Sequence, residues 1–267
     1  MPGQASSSGA AAAAGAGAGA EAGAAPVPVA ARVRAVAFYA WTLAVAVPLF
    51  AVMLAVFPIV VLSDNVRRLA CHLINKVWAE AAGFPFYGVE VEGLENLPPA
   101  EEAAVYVANH ASFLDIFALF HLGRPFKFVS KTSNFLIPII GWAMYLTGHI
   151  KLDRMDRRSQ MRVLKDCIGK LGEGASVLFF PEGTRTSTGK MGDFKKGAFS
   201  VAVKAGAPVV PVTLVGTGAL LPNGREGELY PGKLKLVVHP KVQSEDAEEL
   251  AAAARASIAS ALPAGTY

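Results

Sequence analysis

Three observations predict an α/β fold in which helices flank a central mixed sheet, preceded by an N-terminal membrane element of two helices. Residues 36–62 contain no charged side chain. From Gly88 onward, short runs typical of strands alternate with segments of helical periodicity. Apolar residues make up 53% of the chain and charged residues 17%, an oily composition for a soluble protein. We therefore divide the chain into a low-complexity tail (1–35), a membrane element (36–84) and an α/β domain (85–267).

The tail is rich in Ala, Gly, Ser and Pro and contains one acidic residue, Glu21. Such a composition buries too little apolar surface to fold, so we expect a disordered segment. The scarcity of acidic residues is also typical of an organelle transit segment, and both interpretations stay open. A cleaved secretory signal does not fit, because the apolar core starts too far into the chain and is too long.

Residues 36–62 are expected to form a membrane helix. A helix of this length extends about 40 Å, enough to cross a bilayer core of about 30 Å with some tilt. Pro48 and Pro58 interrupt the segment and predict a kink. Arginines flank both ends, so the charge pattern assigns no orientation, and a helix that dips into the membrane and returns fits equally well.

The pattern of residues 64–82 predicts a second, amphipathic helix that lies on the membrane or on the following domain, and an ordinary surface helix is the alternative. Ser63 or Asp64 can cap its start, and Gly83 favours its end. In the α/β domain, the pattern predicts strands at 89–92, 104–108, 126–130, 149–152, 176–180, 208–215 and 233–239, and helices at 113–121, 157–171, 197–205 and 245–262.

Residues 134–148 are apolar but broken by Pro138 and Gly141, too interrupted for a membrane span. We interpret this segment as core. The alternative is an interfacial surface beside a groove for an acyl chain.

Charge and cysteine content exclude several classes of protein. The net charge of +4 suits an anionic lipid surface or a phosphorylated substrate, and is far below that of a nucleic-acid-binding domain. Cys71 and Cys167 form no disulfide framework, which favours a reducing compartment. The five histidines show no ligand spacing with the cysteines, so we expect no structural zinc site.

His110 and Asp115 form the central catalytic motif that the sequence predicts. His110 follows an apolar strand, and four residues separate it from Asp115, at the start of a helical pattern. A strand-to-helix turn of this length brings the two side chains together, at the edge of the sheet where open α/β folds bind ligands. The carboxylate then fixes the imidazole tautomer and leaves the other ring nitrogen to accept a proton.

A polar loop follows the strand at 176–180 and reads Pro-Glu-Gly-Thr-Arg. Gly183 allows an unusual backbone conformation or the close approach of a ligand. Glu182 and Arg185 can hold a hydroxyl and a phosphate. The loop is not a Walker A motif, because five residues separate Gly183 from Gly189 and Met191 follows Lys190. Further along, Lys195 and Lys196 are interpreted as a solvated pair.

Four blocks occur in order along the chain: Asn109-His110-x4-Asp115, 148–154 (GHIKLDR), 180–185 (FPEGTR) and 210–212 (VPV). Together they resemble the blocks of the glycerolipid acyltransferase family, and the first and third are specific in combination. Within that family, the chain resembles the plant and algal plastid-type branch of the 1-acyl-sn-glycerol-3-phosphate acyltransferases. The resemblance covers residues 88–241. The second block is looser, because Lys151 and Leu152 stand where isoleucine or phenylalanine is frequent.

The resemblance implies a role for each matching residue. His110 would be the general base that deprotonates the sn-2 hydroxyl of lysophosphatidic acid, and Asp115 would orient it. Attack on the acyl thioester would be direct, although an acyl-enzyme route through Ser112 is an alternative. Ser112 is otherwise expected to cap the helix that carries Asp115. Substrate-binding positions implied by the family are Glu182, Gly183, Thr184 and Arg185, with Arg154 and Lys131 as further phosphate ligands.

The resemblance also implies partners and a location. The acyl donor is acyl-CoA or acyl carrier protein, used as a co-substrate, with no further cofactor and no metal. The expected partners are membrane lipids and lysophosphatidic acid, with no nucleic acid, at the plastid envelope or the endoplasmic reticulum. Alternatives are a glycerol-3-phosphate acyltransferase, an acyltransferase for another lysophospholipid, and a catalytically dead membrane-bound lipid-binding protein.

Overall fold

A seven-stranded sheet forms the centre of the computed structural model, which describes residues 28–153, 156–186 and 188–266. The strand order is β1-β7-β6-β2-β5-β3-β4. All neighbours are parallel except β6 and β7, so the sheet is mixed, as predicted. The strands are β1 (Gly88–Glu92), β2 (Val105–Ala108), β3 (Phe126–Lys131), β4 (Ile150–Leu152), β5 (Ser176–Phe179), β6 (Val209–Val215) and β7 (Lys233–Val238).

Helices cover both faces of the sheet. The helices are α1 (Val29–Ser63), α2 (Leu69–Gly83), α3 (Leu114–Leu119), α4 (Ile140–Thr147), α5 (Arg157–Gly172), α6 (Gly197–Ala205), α7 (Thr217–Leu220) and α8 (Ala247–Ser260). Short 3-10 turns add Leu94–Asn96, Phe120–Leu122 and Thr132–Leu136.

The central strand β2 is buried on both sides, which explains its unbroken apolar sequence. Tyr106 and Ala108 point into the core formed with α1, α2 and α3. Val105 and Val107 point into the opposite core, formed with α5, α6 and α8. Because side chains alternate along a strand, four residues supply both cores and hold the following residue, Asn109, at a fixed position.

Helix α1 begins at Val29, earlier than the predicted boundary at residue 35, and continues through Pro48 and Pro58 to Ser63. It is long and apolar enough to cross a membrane by length and composition. The predicted tail otherwise lies outside the described residues. One stripe of α1 is buried against the rest of the protein, and it consists of Ala31, Ala35, Phe38, Thr42, Ala46, Met53 and Val60.

Polar contacts fasten α1 to α2 and the turn that follows it. The Arg34 guanidinium donates to the carbonyl of Phe86. The indole of Trp41 donates to the carbonyl of Ala81 over 2.9 Å. The two helices thus pack as one element against the α/β domain, while most of the remaining surface of α1 is apolar and exposed.

The interpretation of residues 134–148 as core is wrong. This segment forms a 3-10 turn and α4, and it exposes Leu136, Trp142 and Tyr145 at 77%, 52% and 62%. The chain folds back on itself at Gly141, where a Cβ would lie 2.4 Å from the carbonyl oxygen of Phe135. This tight return places Phe135 inside and directs the larger side chains outward.

Candidate active site

His110 and Asp115 make the contact that their spacing predicts, at the carboxyl end of β2. The Nδ1 atom of His110 lies 2.8 Å from Oδ2 of Asp115, in the first turn of α3. The same oxygen accepts hydrogen bonds from the backbone amides of Ala111 and Ser112, at 2.8 and 2.9 Å. The carboxylate is fully buried. Its three hydrogen bonds, all to residues of the same turn, fix its position.

This arrangement sets the tautomer of His110. A carboxylate only accepts hydrogen bonds, so Nδ1 of the imidazole must donate, and Nε2 is the nitrogen that accepts a proton. The ring of Phe180 stacks on the imidazole, with centroids 3.8 Å apart and planes 13° from parallel. The His110 side chain keeps 15% of its surface exposed and lines a cavity. The site is thus built for proton transfer at one defined atom.

Glu182 holds the backbone of His110. Its Oε1 accepts the amide of His110 over 2.7 Å, and its Oε2 accepts the amide of Gly192 over 2.8 Å. The residue is 7% exposed. Burial raises the pKa of the Glu182 carboxyl, while hydrogen bonds from these two amides oppose the rise. Both oxygens are engaged by backbone, a positioning role that the sequence analysis did not predict for this residue.

Gly183 adopts φ +77°, in agreement with the unusual backbone conformation expected there. A Cβ on Gly183 would lie 2.6 Å from Nζ of Lys195, so the ammonium group packs directly on the glycine. The Lys195 side chain is nevertheless exposed, which agrees with the interpretation of this lysine as solvated. Lys196 also projects into solvent and forms an ion pair with Glu248.

Arg185, the predicted phosphate ligand, is paired with a carboxylate. Its Nη1 lies 2.9 Å from Oε1 of Glu226, in the loop between α7 and β7. Thr184 beside it is exposed. Lys131 is exposed at the end of β3 and lines the same cavity as Arg185. Arg154 lies outside the described residues.

The cavity beside His110 has a volume of about 410 Å³. Its polar lining includes His110, Lys131 and Arg185. The remaining walls are mostly apolar and come from α1, α2, α4 and the strands β3 and β5. The proton acceptor His110, the cations Lys131 and Arg185 and a large apolar surface thus line one cavity.

Ser112 is unsuited to a nucleophilic role. Its side chain is fully buried, and its hydroxyl donates to the carbonyl of Leu221 over 2.7 Å. The hydroxyl also accepts the amide of Leu114, the first residue of α3, over 3.1 Å. It therefore supports the helix start, as expected, although the residue that directly precedes the helix is Phe113.

Lys127 is a buried lysine on β3 whose role was not predicted from the sequence. Lys127 is 1% exposed and donates to the carbonyls of Arg67 and Thr147, over 2.7 and 2.6 Å. Burial and the charge of Arg68 lower the pKa of Lys127 to about 7, against the charge of Asp64. Lys127 connects β3 to the α1–α2 junction and to the end of α4. The sequence signal for a buried lysine was its position between Phe126 and Phe128 in strand β3.

Two polar residues of the four sequence blocks, Asn109 and His149, prove to be structural supports. The side-chain amide of Asn109 donates to the carbonyl of Leu214 and accepts its amide, at 2.9 and 2.8 Å, which joins β2 to β6. His149 is buried, and its Nδ1 accepts the amide of Phe128 over 3.0 Å. Burial and the charge of Lys127 hold the pKa of His149 well below its usual value, so the ring is neutral.

The fold and this site define an acyltransferase, and the acyltransferase family model matches residues 88–215. A Chlamydomonas reinhardtii protein named 1-acyl-sn-glycerol-3-phosphate acyltransferase is 57% identical over 231 residues, covering 86% of this chain and 70% of that protein. A chloroplastic 1-acyl-sn-glycerol-3-phosphate acyltransferase of Arabidopsis thaliana is 50% identical over 214 residues, covering 80% of this chain and 60% of that protein. The chain belongs to the 1-acyl-sn-glycerol-3-phosphate acyltransferase family.

A solved structure agrees with this assignment. The crystal structure of the 1-acyl-sn-glycerophosphate acyltransferase PlsC from Thermotoga maritima matches with a TM-score of 0.75 and 28% sequence identity. The match covers 86% of this chain and 93% of that one.

Proposed function

We propose that this protein transfers an acyl group from a thioester to the sn-2 hydroxyl of 1-acyl-sn-glycerol 3-phosphate, with His110 as the general base. The observation that carries the proposal is the 2.8 Å contact between Nδ1 of His110 and Asp115, at the wall of an apolar cavity. It leaves Nε2 as the proton acceptor for a hydroxyl bound in the cavity. The family relationship supports the same reaction.

The reaction proceeds in a single displacement. Nε2 of His110 takes the proton of the sn-2 hydroxyl as the oxygen attacks the thioester carbonyl. The carbon–sulfur bond then breaks, and the departing thiolate takes the proton from the imidazolium. The products are phosphatidic acid and a free thiol. Asp115 stabilises the imidazolium that forms between the two proton transfers, as a buried carboxylate does for other catalytic histidines.

The cations near the cavity are the proposed phosphate ligands. Arg185 supplies a planar guanidinium suited to bidentate binding of phosphate, and it would exchange Glu226 for the substrate. Lys131 lines the same cavity. Lys195 packs on Gly183, another residue of the cavity wall, and adds a third positive charge. We expect Arg154 to contribute as well.

The apolar part of the cavity favours an acceptor that already carries an acyl chain. Glycerol 3-phosphate has no apolar portion to bury there, and burial of apolar surface contributes about 25 cal/mol per Å². A lysophospholipid with a choline headgroup would place its own positive charge among the cations. Lysophosphatidic acid satisfies both parts of the site.

We place the protein on a membrane, with α1 in or across the bilayer. Chloroplastic relatives favour the plastid envelope over the endoplasmic reticulum. Acyl-CoA and acyl carrier protein are both retained as donors. The proposed chemistry uses no metal and no cofactor beyond the thioester.

A transfer assay on the purified chain tests this proposal. Lysophosphatidic acid, glycerol 3-phosphate and lysophosphatidylcholine are offered separately with one radiolabelled acyl thioester. We expect phosphatidic acid to form at least about tenfold faster than either other product, a difference of about 1.4 kcal/mol in transition-state binding. A preference for glycerol 3-phosphate would move the protein to the first acylation step. Absence of all three products would favour the dead lipid-binding protein.

A further inference from the structure

Strand β4 separates two surfaces. Consecutive side chains of a strand point to opposite sides. Leu152 lines the catalytic cavity, whereas Lys151 lies in a second groove on the outside of the molecule. Lys151 is also one of the two residues at which the second sequence block departs from the family resemblance. Its position is thus outside the site described above.

Two aromatic rings surround the Lys151 ammonium. Its Nζ lies 5.1 Å from the centroid of Phe135 and 5.0 Å from that of Tyr145, distances at which a cation is attracted to a ring. None of the ion pairs in the described part of the chain involves Lys151. The side chain is exposed, so its charge is held in place and open to an anion from outside.

The groove beside Lys151 is otherwise apolar and joins α4 to α1. Its walls include Phe50 and Leu54 of α1 together with Trp142 and Tyr145 of α4. The ring centroids of Phe50 and Trp142 lie 6.0 Å apart, so the two helices are in contact along the groove. Leu54, Trp142 and Tyr145 are each about half exposed or more. The groove therefore continues the exposed apolar surface of the helix that we place in the membrane.

We propose that this groove binds an anionic glycerophospholipid of the membrane, with the headgroup phosphate on Lys151 and an acyl chain against Phe50, Leu54 and Trp142. A single cation at the end of an apolar groove matches a phosphate joined to a hydrocarbon chain. Trp and Tyr with an apolar body and a polar edge are typical of the level where headgroups begin. The bound lipid would orient the catalytic cavity relative to the bilayer.

Fluorescence quenching of Trp142 tests the inference directly. The full chain is reconstituted in vesicles of phosphatidylglycerol and phosphatidylcholine at fixed composition. Brominated chains, which quench tryptophan on contact, are placed on one lipid class or on the other at equal mole fraction. The contribution of Trp142 is isolated by subtracting the signal of Trp142→Phe, because the chain has three tryptophans. Brominated phosphatidylglycerol should quench Trp142 more strongly than brominated phosphatidylcholine.

Matched variants identify the residue responsible. Lys151→Ile should remove the preference and weaken binding to phosphatidylglycerol vesicles about fivefold, the usual effect of one lysine at an anionic surface. Lys165→Ile, which removes an exposed lysine on α5, should keep the preference. Inorganic phosphate should leave it unchanged relative to chloride at equal ionic strength.

Three outcomes would overturn the inference. Equal quenching by both brominated lipids would make the face a membrane surface without a lipid site. Loss of the preference in inorganic phosphate would reduce Lys151 to a site for free anions. Absence of quenching by either lipid would show that Trp142, and with it α4, does not contact the membrane. The inference does not depend on the acyl-transfer chemistry, so none of these results bears on the role of His110.

Discussion

The carboxylate of Glu182 accepts the backbone amide of His110 over 2.7 Å, and this contact joins the first and third sequence blocks. Thr186, beyond the same loop, donates its amide to the carbonyl of His110 over 2.9 Å. The proposed base is therefore held on both sides of its backbone by the loop after β5. The loop predicted to bind substrate also positions the base.

Replacement of Glu182 separates positioning from substrate binding. Glu182→Gln turns one acceptor oxygen into an NH₂ group that faces a backbone amide. A buried group left unpaired costs about 1–3 kcal/mol, so we expect kcat to fall about 10- to 100-fold. The KM for lysophosphatidic acid should stay within about threefold, since both carboxylate oxygens are already engaged by backbone amides. Steady-state kinetics on folded protein, checked by circular dichroism, measure both values. A higher KM at unchanged kcat would assign Glu182 to the substrate instead.

Replacement of Asp115 tests the contribution of its buried negative charge. Asp115→Asn keeps the size of the side chain and an oxygen that can accept from Nδ1 of His110 and from the amides of Ala111 and Ser112, but it removes the charge that stabilises the imidazolium. Loss of one partner from a buried ion pair costs about 3–5 kcal/mol, so we expect kcat to fall by about 10²–10³. Single-turnover rates measure the effect without interference from product release. A rate within about tenfold of the unmodified protein would mean that Asp115 only supports the fold.

The pairing of Arg185 with Glu226 gives a prediction for the acceptor. Arg185→Ala should raise the KM for lysophosphatidic acid about tenfold or more, because a charge-assisted hydrogen bond contributes about 1.5–3 kcal/mol. Glu226→Gln should lower the same KM, since the guanidinium would no longer exchange a carboxylate for the phosphate. The KM for the acyl thioester serves as the internal control and should change little. If Arg185→Ala affects only the thioester, the cation serves the donor.

The buried Lys127 predicts a pH dependence of stability. Its pKa is lowered to about 7 in the folded protein from an ordinary value of 10.5, so the unfolded chain binds more protons between these values. The free energy of unfolding should therefore rise with pH in this window, by at most about 1.4 kcal/mol per pH unit from this group. Thermal unfolding in detergent at pH 7, 8 and 9 measures this change in stability, because these pH values lie between the folded and unfolded pKa values of Lys127.

Lys127→Met supplies the comparison. Loss of the two hydrogen bonds should lower the melting temperature at every pH, but the change between pH 7 and 9 should be smaller than in the unmodified protein. Lys165→Met, at an exposed position, should retain the full change. If the melting temperatures of both variants change equally between pH 7 and 9, Lys127 is charged over this whole range and contributes nothing to the pH dependence of stability.

Local patterns account for the parts of the structure that the sequence predicts. The seven strands and the contact between His110 and Asp115 depend on periodicity and on spacing within one turn. The role of Glu182 depends on β2 and β5 lying side by side, a pairing between segments far apart in sequence that no local pattern encodes. Glu226 lies in a polar loop without periodicity, and its contact with Arg185 is likewise non-local.

The wrong interpretation of residues 134–148 as core has a different cause. Apolar composition alone does not tell a buried side chain from one that faces lipid, because both environments favour the same residues. Only the return of the chain at Gly141 and the position of α4 beside α1 show that Trp142 and Tyr145 face outward.

The central claim is that His110 carries the proton in acyl transfer, and one variant tests it most directly. His110→Ala is purified beside His121→Ala, which changes a control histidine in the 3-10 turn after α3, and both are assayed for phosphatidic acid formation and for binding to vesicles. We expect His110→Ala to lose turnover by at least about 10³-fold while vesicle binding is unchanged, and His121→Ala to retain both. Turnover by His110→Ala comparable to that of the unmodified protein would contradict the account.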